Sequence, residues 1–178
     1  SVMQRNATPE KLTEVTTHNL AALEKMIDYN RKNNIKLFRI SSDLIPFGSS
    51  SVNALPWWDI HAEAFQHIGA KIRKSGMRVS FHPGQYTVLN SPDEDVVARA
   101  ILDLAYHAKM LECLGVDNQH KIVLHVGGIY GDKKEALERF EQNFRRLPEA
   151  VRNRLIIEND DRLYNIEEVL ELAHRLQI

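Results

Sequence analysis

Cysteine is nearly absent from this 178-residue chain, and that scarcity limits the classes of protein to which it can belong. The one cysteine, Cys113, excludes an internal disulfide framework and a thiolate zinc site, and it favours a reducing, cytoplasmic environment. No stretch approaches the roughly 20 apolar residues of a membrane span, and the N-terminus has no apolar signal core. With 8 glycines and 6 prolines, a fibrous repeat is excluded too. We expect one globular domain, residues 1–178, with no membrane partner.

An excess of charge of one sign is also missing. The 23 lysines and arginines nearly balance the 24 aspartates and glutamates, which leaves a net charge of −1. A broad basic surface is therefore excluded. A nucleic-acid partner would need a local positive patch or a bound metal ion, because phosphate contacts normally come from lysine and arginine.

Four short apolar runs, at residues 35–40, 78–81, 121–124 and 154–157, predict β-strands. Helical spacing of apolar residues predicts helices between them, at residues 11–33, 59–75, 91–115, 133–146 and from 165 onward. The third of these helices has the clearest start, with Ser91 as N-cap and Pro92 in the first helical position. This alternation predicts an α/β fold with a parallel sheet and covering helices.

Four strand–helix units are half of an eight-stranded TIM barrel, which typically needs about 250 residues. We therefore expect a partial TIM barrel of about four parallel strands that belongs to a larger protein. A self-contained open α/β sheet is the alternative. An exposed edge of a partial barrel would also invite pairing with a second copy, which predicts a dimer.

Three of the predicted strands end in the same way. His82, His125 and Glu158 each follow an apolar run directly and precede a loop rich in glycine or polar residues. Carboxyl ends of parallel strands meet at one edge of a sheet, so these side chains should converge. Two imidazoles and a carboxylate fit a site for Zn²⁺, Mn²⁺ or Fe²⁺, whereas any one of these histidines alone is more often structural than a ligand.

Four further residues near the same edge have a functional and a structural interpretation. Gln85 and Tyr86 could contact substrate or belong to a packed loop. Lys133, at the end of a glycine-rich loop, could help to bind a phosphate, or the loop could be a tight turn. Arg39 could contact a phosphate or form a salt bridge. The other histidines fall on helices or helix ends, where solvated or capping roles are expected.

Four segments together make the chain similar to the UV damage endonuclease family. They are FRISSDLIPF at residues 38–47, SFHPGQY at 80–86, LHVGG with YGDK between 124 and 133, and IENDD at 157–161. The resemblance implies a TIM barrel that uses divalent ions, commonly Mn²⁺ and alternatively Zn²⁺, to cut double-stranded DNA on the 5′ side of UV photoproducts. The expected enzyme is thus a metal-dependent endodeoxyribonuclease of DNA repair.

The same resemblance assigns residue roles. His82 and His125 would bind one ion, and Glu158 would bridge it to a second, which makes Glu158 and His125 the expected catalytic residues. Gln85 and Tyr86 would probe the damaged bases, and Arg39 and Lys133 would contact the DNA. Strands that carry the family's remaining ligands are not in this chain, so we expect the chain alone to be weakly active or inactive.

Two other functions fit the residues. A sugar isomerase or epimerase on a similar barrel would also hold a divalent ion between histidines and carboxylates at strand ends. A non-catalytic binding module would use the histidines structurally. Activity on a ketose would favour the first function, and absence of stoichiometric metal would favour the second.

Overall fold

A computed structural model describes residues 2–178 of the chain, and within these residues it contains four β-strands and seven α-helices. The strands are β1 (Leu37–Ile40), β2 (Arg78–Phe81), β3 (Ile122–His125) and β4 (Leu155–Glu158). The helices are α1 (Pro9–Lys32), α2 (Trp57–Ile60), α3 (Ala62–Ser75), α4 (Glu94–Cys113), α5 (Lys133–Arg145), α6 (Glu149–Arg152) and α7 (Ile166–Leu176). Short 3₁₀ helices occur at Gln4–Asn6 and Ser42–Leu44.

The strands pair in parallel, as the alternation of strands and helices predicts. β1 pairs with β2 from Leu37 opposite Arg78, and β3 pairs with β4 from Ile122 opposite Leu155. The register of the second pair ends with His125 directly opposite Glu158. These two residues were expected just beyond their strands, and the structure makes each of them the last residue of its strand.

The chain forms two compact units, and the first comprises the chain up to Phe81 together with Lys109–His120. It contains β1, β2 and helices α1 to α3. A buried stripe on α1, with Leu12, Leu20 and Ile27 among its members, packs this helix against α3. The stripe has the spacing of three to four residues that places side chains on one face of a helix.

The second unit comprises His82–Ala108 and Lys121–Ile178 and holds β3, β4 and helices α5 to α7. Helix α7 packs against β4 and α5. Its N-terminus is a capping box, because the Asn165 side chain accepts from the Glu168 backbone while the Glu168 side chain accepts from the Asn165 backbone. The predicted start of this helix at Asn165 is thus confirmed.

The predicted start of α4 is wrong by two residues. The helix begins at Glu94, and the Asp93 carboxylate accepts hydrogen bonds from the backbone N–H groups of Asp95 and Val96. Asp93 therefore caps the helix, while Ser91 accepts from the N–H of Asp93 one turn earlier. Both Asp93 and Ser91 are residue types that can cap a helix. Asp93 accepts from two backbone N–H groups of the helix, whereas Ser91 accepts from one N–H group before it.

Two of the histidines expected to be solvated or to cap helices have buried side chains. His107 is fully buried within α4, where its Nδ1 atom is 2.7 Å from the carbonyl oxygen of Asp103. His61 is also buried, and desolvation lowers the pKa of its imidazole.

Within residues 2–178, no helix is both long and apolar enough to cross a lipid bilayer.

Candidate metal centre

The three side chains expected to bind metal lie where strands end. His125 and Glu158 close β3 and β4 and face each other across the ladder. Paired residues on neighbouring strands point to the same face of a sheet, so this register alone brings the two side chains together. His82 follows Phe81, the last residue of β2.

The Glu158 carboxylate lies between the two imidazoles. Its Oε1 atom is 2.5 Å from His82 Nε2 and 3.2 Å from His125 Nε2. The two imidazole ring centroids are 5.0 Å apart. One ligand atom from each of the three residues lies within 4.8 Å of the other two, and no second such trio occurs in the part of the chain that the structure describes.

This donor set fits a divalent ion. Imidazole nitrogens and a carboxylate oxygen are the ligands that Zn²⁺, Mn²⁺ and Fe²⁺ share. His82 Nδ1 is 3.1 Å from the carbonyl oxygen of Pro83. A hydrogen bond from Nδ1 to this carbonyl would leave Nε2, the nitrogen that faces Glu158, available to bind an ion. The side chain of His125 is 46% exposed and that of Glu158 36% exposed, so solvent and a substrate can reach the cluster.

Asp160, two residues after Glu158, bonds the backbone of its own loop and is not a member of the cluster of His82, His125 and Glu158. Its carboxylate accepts from the backbone N–H groups of Arg162, Leu163 and Tyr164 at 2.5 to 3.3 Å. Burial would raise the pKa of this carboxyl, but these N–H groups stabilise the charged form and lower it overall. The loop after β4 therefore has a defined conformation close to Glu158.

Gln85 and Tyr86 occupy the centre of a β-turn. The Thr87 N–H donates to the Gly84 carbonyl at 2.9 Å, which closes the turn, and the Thr87 hydroxyl donates to Asp103 Oδ2 at 2.7 Å. Both central side chains are exposed, and Tyr86 is 83% exposed. An aromatic ring held at a turn tip in this way is available for contact with a partner.

The remaining two expected DNA contacts lie in different places. Arg39 is exposed on β1 of the first unit, opposite Ser80 in the parallel ladder. Lys133 is the first residue of α5, and its ammonium is 2.6 Å from Glu168 Oε1, an interaction that lowers the pKa of Glu168. A phosphate contact by Lys133 would have to share this ammonium with Glu168.

Several polar residues around the candidate site are not indicated by any pattern in the sequence. The most extensively bonded are Asn90 and Tyr164, which both contact the Gly128 carbonyl. Asp103, the partner of Thr87, was also missed. These partners are 16 to 74 positions apart along the chain, so no local pattern indicates them.

A family model described as UV-endonuclease UvdE matches residues 1–178. The chain belongs to the UvdE family. It is 43% identical over 177 residues to the UV DNA damage endonuclease of Clostridium perfringens, and 36% identical over 173 residues to that of Bacillus velezensis. These alignments cover 99% and 97% of this chain but 43% and 54% of the relatives, so the chain spans about half the length of its UvdE relatives.

Solved structures support the expected fold class. The crystal structure of SacUVDE matches the whole chain with a TM-score of 0.97 and 38% identity, while the match covers 61% of SacUVDE. A D-psicose 3-epimerase from Clostridium cellulolyticum H10 matches 86% of the chain and 54% of its own length, with a TM-score of 0.59 and 18% identity. The second likeness is one of fold alone. The predicted α/β class with a partial TIM barrel is confirmed.

Proposed function

We propose that this UvdE-family chain forms part of a metal-dependent endonuclease that cuts DNA on the 5′ side of UV photoproducts. The observation that carries the proposal is the convergence of His82, His125 and Glu158 at the strand ends of a chain with this family membership. We assign Mn²⁺ as the ion, with Zn²⁺ as the alternative that the same ligands accept.

Each member of the cluster has a defined part in this proposal. His82 and His125 supply neutral imidazole nitrogens, and Glu158 supplies the carboxylate that lies within reach of both. Divalent ions held there would stabilise negative charge on a phosphodiester and lower the pKa of water. Glu158 and His125 are the residues on which strand cleavage should depend most.

Lesion recognition is assigned to the turn that presents Gln85 and Tyr86. A photoproduct is already poorly stacked, so displacing it from the duplex costs less free energy than displacing intact bases. The exposed Tyr86 ring can stack against bases, and the Gln85 amide can both donate and accept hydrogen bonds. Arg39 and Lys133 are proposed to contact the DNA backbone.

The test uses the complete protein encoded by the gene that carries this sequence. Supercoiled plasmid, UV-irradiated or not, is incubated with the protein in Mn²⁺ or in EDTA, and nicking is scored. We expect nicking only with irradiated plasmid and Mn²⁺. A duplex with one photoproduct and a labelled end then maps the cut, which should fall on the 5′ side of the lesion.

Glu158→Gln and His125→Ala should each slow nicking by at least about 100-fold, because loss of a ligand should exceed the 10- to 100-fold cost of losing a group behind a ligand. Affinity for irradiated duplex should stay close to that of the unmodified protein. Glu138→Gln on α5 and His174→Ala on α7 are matched controls at exposed positions. Equal loss of cutting and binding in His125→Ala would indicate a structural histidine.

Two outcomes would replace this proposal. If folded, metal-loaded protein does not nick irradiated plasmid, the endonuclease assignment is wrong. Epimerisation of a ketose by the same preparation would then support the sugar-epimerase alternative. Absence of stoichiometric metal would favour a non-catalytic binding module. Dimerisation stays a prediction, to be checked by sedimentation.

A further inference from the structure

A largely buried hydrogen-bond network joins the three loops that follow the proposed ligands. Asn90 Nδ2 donates to the Gly128 carbonyl at 2.7 Å and to the Tyr164 hydroxyl at 3.4 Å. The Tyr164 hydroxyl donates to the same Gly128 carbonyl at 3.0 Å. Asn90 is fully buried and Tyr164 is 1% exposed, whereas Gly128 is partly exposed, so the bond between Asn90 and Tyr164 is buried and the two bonds to Gly128 are partly buried. Burial also raises the pKa of Tyr164, which keeps its hydroxyl protonated as a donor.

The network lies close to each ligand along the chain. Gly128 is three residues beyond His125, Tyr164 is six beyond Glu158, and Asn90 is eight beyond His82. The three contacts therefore connect the segments that carry the three ligands, and each contact spans 36 to 74 positions of sequence.

Helix α5 holds the Asn90 segment from its other side. Arg139 Nε donates to the Asn90 carbonyl at 3.0 Å, and Asn143 Nδ2 donates to the Leu89 carbonyl at 2.8 Å. The backbone on both sides of the Asn90 side chain is thus anchored to a helix. Because its backbone is held in this way, the Asn90 side chain has a fixed position from which it can position the Gly128 carbonyl.

Asn90 also packs closely against the glycine loop after β3. A Cβ atom at Gly127 would lie 2.4 Å from Asn90 Oδ1, and Gly127 has a φ of 110°, a conformation that favours glycine. Asn90 Oδ1 itself has no hydrogen-bond partner and is buried. An unpaired buried oxygen reduces stability, so the arrangement is not one that maximises stability alone.

We propose that Asn90 and Tyr164, acting through the Gly128 carbonyl, are positioning residues: they hold the loops that follow His82, His125 and Glu158 so that the three proposed ligands keep the spacing a divalent ion requires. This inference rests on the metal centre of the proposed function, and not on the identity of the DNA lesion. Removing the network should loosen the spacing of His82, His125 and Glu158 while leaving each ligand in place. The measurable consequence is weaker metal binding without loss of the fold.

Mn²⁺ affinity, measured by calorimetric titration of the complete protein, tests the inference. Tyr164→Phe removes one hydroxyl and keeps the ring, and Asn90→Leu removes the amide at similar volume. We expect each variant to bind Mn²⁺ about tenfold more weakly, at the low end of the 10- to 100-fold effect of groups that contact ligands directly. Because both residues bond the same carbonyl, the double variant should lose less than the product of the single effects.

Asn53→Leu is the matched control. Asn53 is also buried, and its Nδ2 donates to the Pro46 carbonyl at 2.8 Å in the first unit. This variant should lower the melting temperature as much as Asn90→Leu does and leave Mn²⁺ affinity unchanged. Measuring the melting temperature of each metal-free variant separates general loss of stability from loss of ligand spacing.

The possible failures are distinguishable. If the unmodified protein binds Mn²⁺ and both Tyr164→Phe and Asn90→Leu bind it equally well, the positioning role is overturned and the metal centre stands. If the unmodified protein binds no divalent ion, the metal centre and this inference both fall. If Asn53→Leu weakens Mn²⁺ binding as much as Asn90→Leu does, the effect belongs to stability and the inference is again overturned.

Discussion

Thr87 shows how a single side chain can support the turn that is proposed to recognise the lesion. Its hydroxyl donates to Asp103 Oδ2 on α4, and its N–H closes the turn that displays Gln85 and Tyr86. The turn tip is exposed while Thr87 itself is buried, so the turn is anchored at its base only. Holding a turn in one conformation before binding lowers the entropy lost on binding.

Thr87→Val should therefore weaken binding of UV-irradiated duplex while leaving Mn²⁺ affinity unchanged. Valine keeps the shape but cannot donate to Asp103, whose carboxylate loses one partner. We expect a loss of roughly three- to tenfold, which corresponds to a hydrogen bond of about 1 kcal/mol or slightly more. Fluorescence anisotropy with irradiated and intact duplexes provides the measurement.

The control for this variant is Thr13→Val, because the Thr13 hydroxyl only donates to the Pro9 carbonyl of its own helix. Unchanged affinity of Thr87→Val for irradiated duplex would show that the turn does not need its anchor.

At the scale of elements, α3 is fitted closely to the chain that follows α4. A Cβ atom at Gly69 would lie 1.7 Å from the Leu114 carbonyl oxygen, and Arg73 Nη1 donates to the carbonyls of Leu114 and Gly115 at 2.7 and 2.8 Å. The glycine permits this approach. The arginine satisfies carbonyl groups that have no partner within the ending helix.

Gly69→Ala should accordingly destabilise the protein, although alanine is favoured over glycine within a helix by about 1 kcal/mol. The 1.7 Å approach calls for the upper part of the roughly 1 to 3 kcal/mol that such insertions cost, so after this gain we expect a net loss of about 1 to 2 kcal/mol in the free energy of unfolding. Urea denaturation measures it. Gly84→Ala is the matched control, since a Cβ atom there has no neighbour within 4 Å. Equal stability of the two variants would contradict the close approach.

Ion pairs also join α1 to α3. The Lys71 ammonium lies 2.6 Å from Glu24 Oε1 and 2.7 Å from Asp28 Oδ2. Hydrogen bonds from Lys71 lower the pKa of both acids, and the same bonds raise the pKa of Lys71. Acids with a lowered folded-state pKa stabilise the fold above their ordinary values of 4.5 and 3.8, and this stabilisation is lost as the pH falls through their folded-state pKa values.

Lys71→Met should lower the melting temperature at pH 7, and the difference from the unmodified protein should shrink as the pH falls below about 4. Below the lowered folded-state pKa values of Glu24 and Asp28 both acids are protonated, so Lys71 then has no charged partner to lose. Thermal unfolding between pH 2.5 and 7 tests this pH dependence. A difference that is constant over the whole range would assign the effect to packing of the lysine stem.

At the scale of the whole molecule, the proposed ions would contribute to stability as well as to function. The net charge is −1, and the Glu158 carboxylate is drawn between two imidazoles. An ion that binds the folded state and not the unfolded chain stabilises the fold by mass action.

Mn²⁺ at about one hundred times its dissociation constant should raise the free energy of unfolding by about 2.7 kcal/mol. For a chain of this size the melting temperature should rise by roughly 5 to 10 °C. His125→Ala should abolish most of this rise, whereas His174→Ala should retain it. A rise of the same size in His125→Ala would place the ion elsewhere.

The sequence by itself determined the features that depend on neighbouring residues. Strand runs, amphipathic helices and the Asn165 cap are local patterns, and they indicated the parallel α/β architecture. The ligand trio was also predictable, because three apolar runs end in the same way and parallel strands bring such ends together. Even a local pattern can misplace the end of a helix: α4 was expected to be capped by Ser91, but Asp93 caps it.

Only the tertiary structure decided which distant residues meet. The contacts of Asn90 with Gly128 and Tyr164, of Thr87 with Asp103, and of Gly69 with Leu114 join positions far apart in the chain. Each depends on the packing of helices and loops, which sets burial and distance, and neither quantity is encoded in a local pattern of residue types. The three proposed ligands could therefore be picked out in the sequence, whereas the residues proposed to position them could not.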